Sequence, residues 1–427
     1  MNQYNDSKKI NIDIEILLFL MIFISPIVVL QIGRKELFLW LQIIFVCLLT
    51  IRKFSLVNSK ILLFIFLEPF ISAFFAVTST MPEKYKSTAI NLAIMSIPLY
   101  LVISYLSGLI KAGYEILDII IRAFKLAIII EIVWIPLQLV FYRLIGIDIN
   151  KIIFVDTLHM VSNASFVRSW VWYPSGLSWH SAVLAPLFAF GILIWDNSLI
   201  RIIILAESFI CGNNTTLIGV VCVFMFLCLR SLYRKHIIVT DQIIVLIVLV
   251  VAACAIVVLS SGIREKFSDV VVKLLGRFFS AEKDASTVAH FGYYSDCFKI
   301  LKNCSISQLI FGYGVGCSGY TITELYGRYA DGGTWAIESD FVNILVSRGL
   351  VGFIAYYGFL IYIMIRGRKI DSRYFILMVV ILIQGFGYNI QFDYILLLEA
   401  ILFITIDNDI NFFESVDKIN NKNIGRG

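Results

Sequence analysis

The chain has 427 residues, of which 59% are hydrophobic and 15% charged, with a formal net charge of +5. An ordinary soluble domain carries about 25% charged residues, so this composition excludes a water-soluble globular protein, which would be left without a polar coat. The modest positive excess resides in short connections between apolar runs and makes no case for binding nucleic acid.

In chain order, apolar runs of the kind that cross a hydrocarbon core of about 30 Å fall at 14–32, 37–51, 61–78, 89–110, 119–142 and 181–195. They continue at 202–211, 217–229, 243–259, 341–365, 374–388 and 394–406. Inside lipid, backbone polar groups must pair within their own segment, so each run predicts a helix. The expectation is one all-α polytopic membrane domain over 1–427, with about twelve transmembrane helices. The leading "MNQYNDSKKI" and the run behind it show no small-residue cleavage site, so the first span is expected to be retained.

Lys and Arg in short connections mark the cytoplasmic side. Alternate connections carry Lys8 and Lys9; Arg52, Lys53 and Lys60; Lys111, Arg122 and Lys125; Arg201; Arg230, Arg234 and Lys235; and Arg366, Arg368, Lys369 and Arg373. The opposite short connections hold Arg34, Lys35, Lys84 and Lys86. Both termini are therefore expected in the cytoplasm. Two long connections, 143–180 and a large loop at 260–340 between spans 9 and 10, are expected outside the cytoplasm.

The large loop contains Gly314, Gly316 and Gly319 in G-x-G-x-x-G spacing. That spacing binds a dinucleotide only where a strand precedes it and a helix opens from it, and no strand-helix-strand unit fits between these spans. The glycines read instead as a tight turn close to the membrane surface, where missing side chains let backbone or ligand approach. Earlier in the loop, at 263–279, "IREKFSDVVVKLLGRFF" places Ile263, Phe267, Val270, Leu274 and Phe278 on one helical face and Lys266, Lys273 and Arg277 on another. Such a helix lies in the headgroup layer or caps the bundle. Cys297, Cys304 and Cys317 allow one disulfide, but no CxxC pair is present to suggest a zinc site. No metal and no cofactor are expected. Glu68, Glu131, Glu207 and Glu399 lie in or near apolar runs, where carboxylates mark ion or substrate paths or pair structurally with helix-borne hydroxyls or Lys125. No internal repeat of the kind transporters carry is visible, and structural pairing is the reading taken.

"IFGYGVG" at 310–316, followed by "ESDFVNILVSRGLVG" at 338–352, resembles the O-antigen polymerase and ligase superfamily of bacterial glycan transferases. An earlier stretch, "YPSGLSWHSAVLA" at 173–185, is similar to that superfamily's first loop motif. Departures are visible: Tyr173 stands where the pattern often has Arg, His290 where an Arg is common, and Glu338–Ser339 where ligases carry His-Asn. The last points to a Wzy-type polymerase rather than a ligase. The resemblance implies a multi-pass protein of the bacterial inner membrane that needs no cofactor. It implies transfer of a growing glycan from undecaprenyl pyrophosphate to a sugar hydroxyl of another lipid-linked repeat unit, in company with membrane lipid, a chain-length regulator and a flippase.

That chemistry needs cations facing the departing pyrophosphate and a base for the attacking hydroxyl. Arg168 and Arg277 are the first candidates for the former, with Arg264, Arg328 and Arg348 behind them. Glu338 is the first candidate base and His290 the second. Tyr173, His180, Gly312, Gly314 and Asp340 are candidate sugar or turn residues, Asp340 being equally suited to cap the helix that follows it. The aromatic cluster Trp170, Trp172, Tyr173 and Trp179 can stack on sugars, but an interfacial belt is the plainer reading.

Overall fold

The structure is a computed structural model that describes residues 8–32, 35–57, 59–160, 174–178, 181–211, 214–234, 285–321, 337, 339–388 and 393–424. In chain order its helices are α1 (Ile12–Ile24), α2 (Leu37–Ile51), α3 (Lys60–Val77), α4 (Glu83–Lys111) and α5 (Leu117–Val140). Then come α6 (Leu184–Ile194), α7 (Ser198–Ile210), α8 (Asn214–Arg234), α9 (Ala285–Asn303) and α10 (Ile306–Phe311). The last four are α11 (Asp340–Ile370), α12 (Ser372–Gly387), α13 (Asp393–Asp407) and α14 (Phe412–Ile424). A two-residue ladder pairing Gln31 with Glu36 joins α1 to α2. Contacts divide the chain into a large unit, Met1–Val223 with Cys297–Gly427, and a smaller one, Phe224–Asp296. In the smaller unit the described residues are the end of α8 and the start of α9. The predicted span at 243–259 and the amphipathic stretch at 263–279 lie outside the described residues.

Among the described residues three helices are long and apolar enough to cross a membrane: α3 with 18 residues, α4 with 29 and α11 with 31. Four more segments, α2, α6, Thr216–Ser231 within α8, and α12, are apolar but shorter. The chain is thus a helical, membrane-embedded protein. α4 carries Glu83 in its first turn and Lys111 in its last, each charge matched to the helix dipole at its end. The runs at 181–195 and 202–211 fold as helices of 11 and 13 residues, which rise only about 16 and 20 Å. Their brevity has a local cause, because the Asn197 side chain accepts from the amides of Leu199 and Ile200 and so starts a new helix. Every residue of α6 is buried. A helix apolar all round needs protein on every side, and α5, α7, α12 and α14 supply it.

Three of the cations in the loop count, Arg52, Lys111 and Arg373, form ion pairs between helix ends of the large unit. Arg52 meets Asp13 at 2.5 Å, Lys111 meets Asp407 at 4.0 Å and Arg373 meets Asp417 at 2.6 Å. The Lys8 amide reaches the Gly113 carbonyl at 3.1 Å. Asn420 of α14 donates to Ile194 O and to Asp196, at 3.2 and 2.8 Å. These contacts tie together the start of α1, the ends of α2, α4, α6 and α13, and the start of α12. The connection between α3 and α4 and the start of α11 therefore belong to the other end.

Candidate functional site

At that other end α11 is broken. Gly349 has φ +65° and ψ −166°, a conformation essentially reserved for glycine, so the helix stops after Arg348 and restarts at Leu350. A break frees carbonyls that an intact helix would bond, and buried backbone groups demand partners. The "GYG" turn provides them: the Tyr313 amide donates to Val346 O at 3.0 Å and the Gly314 amide to Ser347 O at 2.8 Å. The Ser72 hydroxyl of α3 adds a second bond to Ser347 O at 2.9 Å. The fit is close on both sides. A Cβ on Gly312, itself at φ +77°, would lie 2.3 Å from Ser347 O, and one on Gly349 would lie 2.5 Å from the Gly312 amide nitrogen. Gly314 and Gly316 face Ala76 of α3 and Leu92 of α4 with no room for a side chain.

Below the break, Arg348 forms an ion pair with Glu68 of α3 at 3.4 Å, the two side chains being 14% and 3% exposed. Gly352 makes this approach possible, since a Cβ there would sit 2.6 Å from Glu68 Oε1. Above it, Asp340 is buried at the first position of α11, its amide donating to Tyr388 O at 3.4 Å and its carboxylate lying against Gly385. The residues flanking position 338 are both anchored: the Ile337 amide donates to the Ser318 hydroxyl at 3.1 Å, and the Ser339 hydroxyl to Phe386 O at 3.1 Å. Ser318 in turn donates to Asn343 at 2.5 Å. The Cys317 thiol, buried and donating to Tyr85 O at 3.2 Å, is pushed up to about 12 by burial. Cys297 and Cys304 are likewise free thiols.

Beside Gly312 and Tyr313 lies a cavity of about 260 Å³ between the α3–α4 connection and α10. Its polar wall consists of Thr78, Ser79, Thr80, Ser305, Ser307 and Gln308, and no charged residue among the described ones lines it. Ser305 and Gln308 cap α10 reciprocally, the hydroxyl accepting from the Gln308 amide and the Gln308 side chain accepting from the Ser305 amide. This capping box fixes one wall of the cavity.

A second irregular segment is buried elsewhere in the unit. Residues 174–178, the "PSGLS" of the earlier motif, form a turn enclosed by the bundle, although they belong to a connection expected outside it. Non-helical backbone at such depth persists only where protein satisfies it. Glu131 of α5 accepts from the Leu177 amide at 2.9 Å, and Gln138 accepts from the Gly176 amide at 2.8 Å. Asn150 donates to Gly176 O at 2.7 Å and accepts from the Trp134 indole at 2.7 Å. A side chain on Gly176 would collide with Glu131 Oε2 at 2.2 Å.

Of the candidates read from the sequence, Gly312, Gly314, Asp340 and Arg348 are brought to one locality around the break. Glu338, Arg168, Tyr173, His180, Arg264, Arg277 and Arg328 lie outside the described residues, and His290 sits on α9. Arg348 faces Glu68 rather than an open cleft. Three of the four carboxylates take partners, Arg348 for Glu68, a backbone amide for Glu131 and the Tyr356 hydroxyl at 3.1 Å for Glu399, whereas Glu207, against the expectation of structural pairing, is buried with no hydrogen-bond partner among the described residues. Lys125 pairs with none of them and donates to Asn420. Gln138 and Asn150 escaped the sequence reading because a lone amide in an apolar run carries no signature of its partner. Comparison with protein-family models finds none that matches the chain, and comparison with curated proteins finds no match either.

Proposed function

We propose that the chain is a Wzy-type O-antigen polymerase of the bacterial inner membrane, with about twelve spans, cytoplasmic termini and the broken end of α11 on the periplasmic face. One observation supports this above the others. The two short segments on which the family resemblance rests, "IFGYGVG" and "ESDFVNILVSRGLVG", are a single physical unit, since the glycine turn bonds directly to the carbonyls at the break. The described walls of the adjoining cavity carry hydroxyls and no charge, which suits a sugar ring better than a phosphate.

In this reading the hydroxyl of one lipid-linked repeat unit attacks the anomeric carbon of another. The new glycosidic C–O bond forms as the bond to undecaprenyl pyrophosphate breaks, and the hydroxyl proton passes to Glu338, with His290 the alternative acceptor. Arg168 and Arg277, then Arg264 and Arg328, are assigned to the charge that develops on the departing pyrophosphate. Arg348 is assigned instead to holding the break against Glu68.

The test is to incubate purified protein with a lipid-linked repeat unit and resolve the products on a gel. A ladder of polymer is expected, and Glu338→Gln should lower its rate by about 10²–10⁴-fold. A single-step product on lipid A core would replace the polymerase with the ligase. Broken helices also occur at transporter binding sites, so translocation of the lipid-linked unit without bond formation would replace it with a flippase.

A further inference from the structure

At the cation-bearing end, a cavity of about 420 Å³ opens between the start of α5, the end of α6 and the C-terminal helix α14. Three cations line it: Arg122 and Lys125 from α5 and Lys422 from α14. Asp118 is the one carboxylate among the described residues on its wall, and Arg122 already pairs with it one turn away. Lys125 is buried, donates to Asn420 and lies 4.7 Å from the centre of the Trp195 ring. Lys422 is exposed and has no partner among the described residues. The Trp195 indole N–H, also on the wall, is buried with no hydrogen-bond partner among the described residues. The cavity thus presents a surplus of positive charge and an unused donor, which is the chemistry of an anion site.

Its apolar side tells which anion. From Arg122 the stripe Leu126, Ile129, Val133 follows at steps of four, three and four, and so lies along one face of α5. Leu126 and Val133 are 40% and 55% exposed, and the stripe extends about 16 Å from the cation. A free phosphate has no use for such a wall, whereas a phospholipid does: its headgroup phosphate meets the cations and its acyl chain descends along the stripe. Basic pockets beside membrane helices recognise anionic headgroups in this way.

We propose that this cavity is a binding site for one anionic phospholipid, clamped between α5 and α14. The assignment is independent of the glycan-transfer reading, because it uses neither the glycine turn nor the loop arginines.

The test is native mass spectrometry of the full chain in a neutral detergent, titrated with phosphatidylglycerol, phosphatidylcholine or inorganic phosphate. Phosphatidylglycerol should be retained at least about tenfold better than phosphatidylcholine, and its affinity should fall as salt is raised. The double variant Arg122→Gln, Lys422→Gln should lower that affinity about 20- to 30-fold, roughly fivefold for each cation. Lys125 is left in place because it holds Asn420. Equal retention of the two lipids, or undiminished binding to the double variant, overturns the proposal. Complete displacement of the lipid by millimolar inorganic phosphate also overturns it, in favour of a free-anion site. If the double variant does not fold, the lipid comparison and salt dependence on the unaltered protein decide the matter.

Discussion

Replacing Gly349 by alanine tests the account of the broken helix directly. The new Cβ would lie 2.5 Å from the Gly312 nitrogen and from the carbonyl carbon and oxygen of Ile310, all backbone atoms that no rotamer change moves aside. The left-handed conformation itself costs about 1–3 kcal/mol for any residue but glycine. If the turn retreats to relieve the clash, Val346 O loses its donor, at about 1–3 kcal/mol for a buried group left unpaired. Ser347 O keeps the Ser72 hydroxyl, so that loss is counted once. The sum, roughly 2–6 kcal/mol, is a large share of the ~5–15 kcal/mol that stabilises a folded protein. Gly358, on the same helix, supplies the control: a Cβ there meets nothing within 4 Å, and Gly→Ala inside a helix gains up to about 1 kcal/mol. In detergent, Gly349→Ala should lose monodisperse protein roughly 2–7 °C below the unaltered chain, while Gly358→Ala should match or exceed it. Equal midpoints for the two variants would refute the claim that the turn and the break hold each other.

Glu68→Gln and Arg348→Leu should each destabilise by about 3–5 kcal/mol, because each strands a buried charge, whereas the double variant should fall short of either single one; thermal midpoints for the full cycle read this out, and additive losses would contradict it. Glu131→Ala should release the buried 174–178 turn, costing about 1–3 kcal/mol for the Leu177 amide and exposing that segment to limited proteolysis, where an unchanged digestion pattern would count against the assignment. The Cys317 thiol, raised to about 12 by burial, stays protonated well above neutral pH. Maleimide at pH 8 should therefore leave Cys317 untouched until the protein is unfolded, and prompt labelling of Cys317 in the folded chain would sink that expectation.

Composition and the length of the apolar runs by themselves determined that this is a helical membrane protein, because a chain with so few charges has only one solvent in which it can fold. The spacing of Lys and Arg along alternating connections sets an expected orientation, a one-dimensional count that names no contact between helices. The glycines at 312–316 were legible as a tight turn, for their freedom from a Cβ is a local property. What the turn touches was not legible. That Gly349 breaks α11 to receive it, that Arg348 answers Glu68 across 280 positions, and that Glu131, Gln138 and Asn150 carry the backbone of residues 174–178 were decided only by tertiary packing. A buried polar group states its need for a partner in the sequence, but which of many distant groups meets that need is fixed by which helices come to lie side by side.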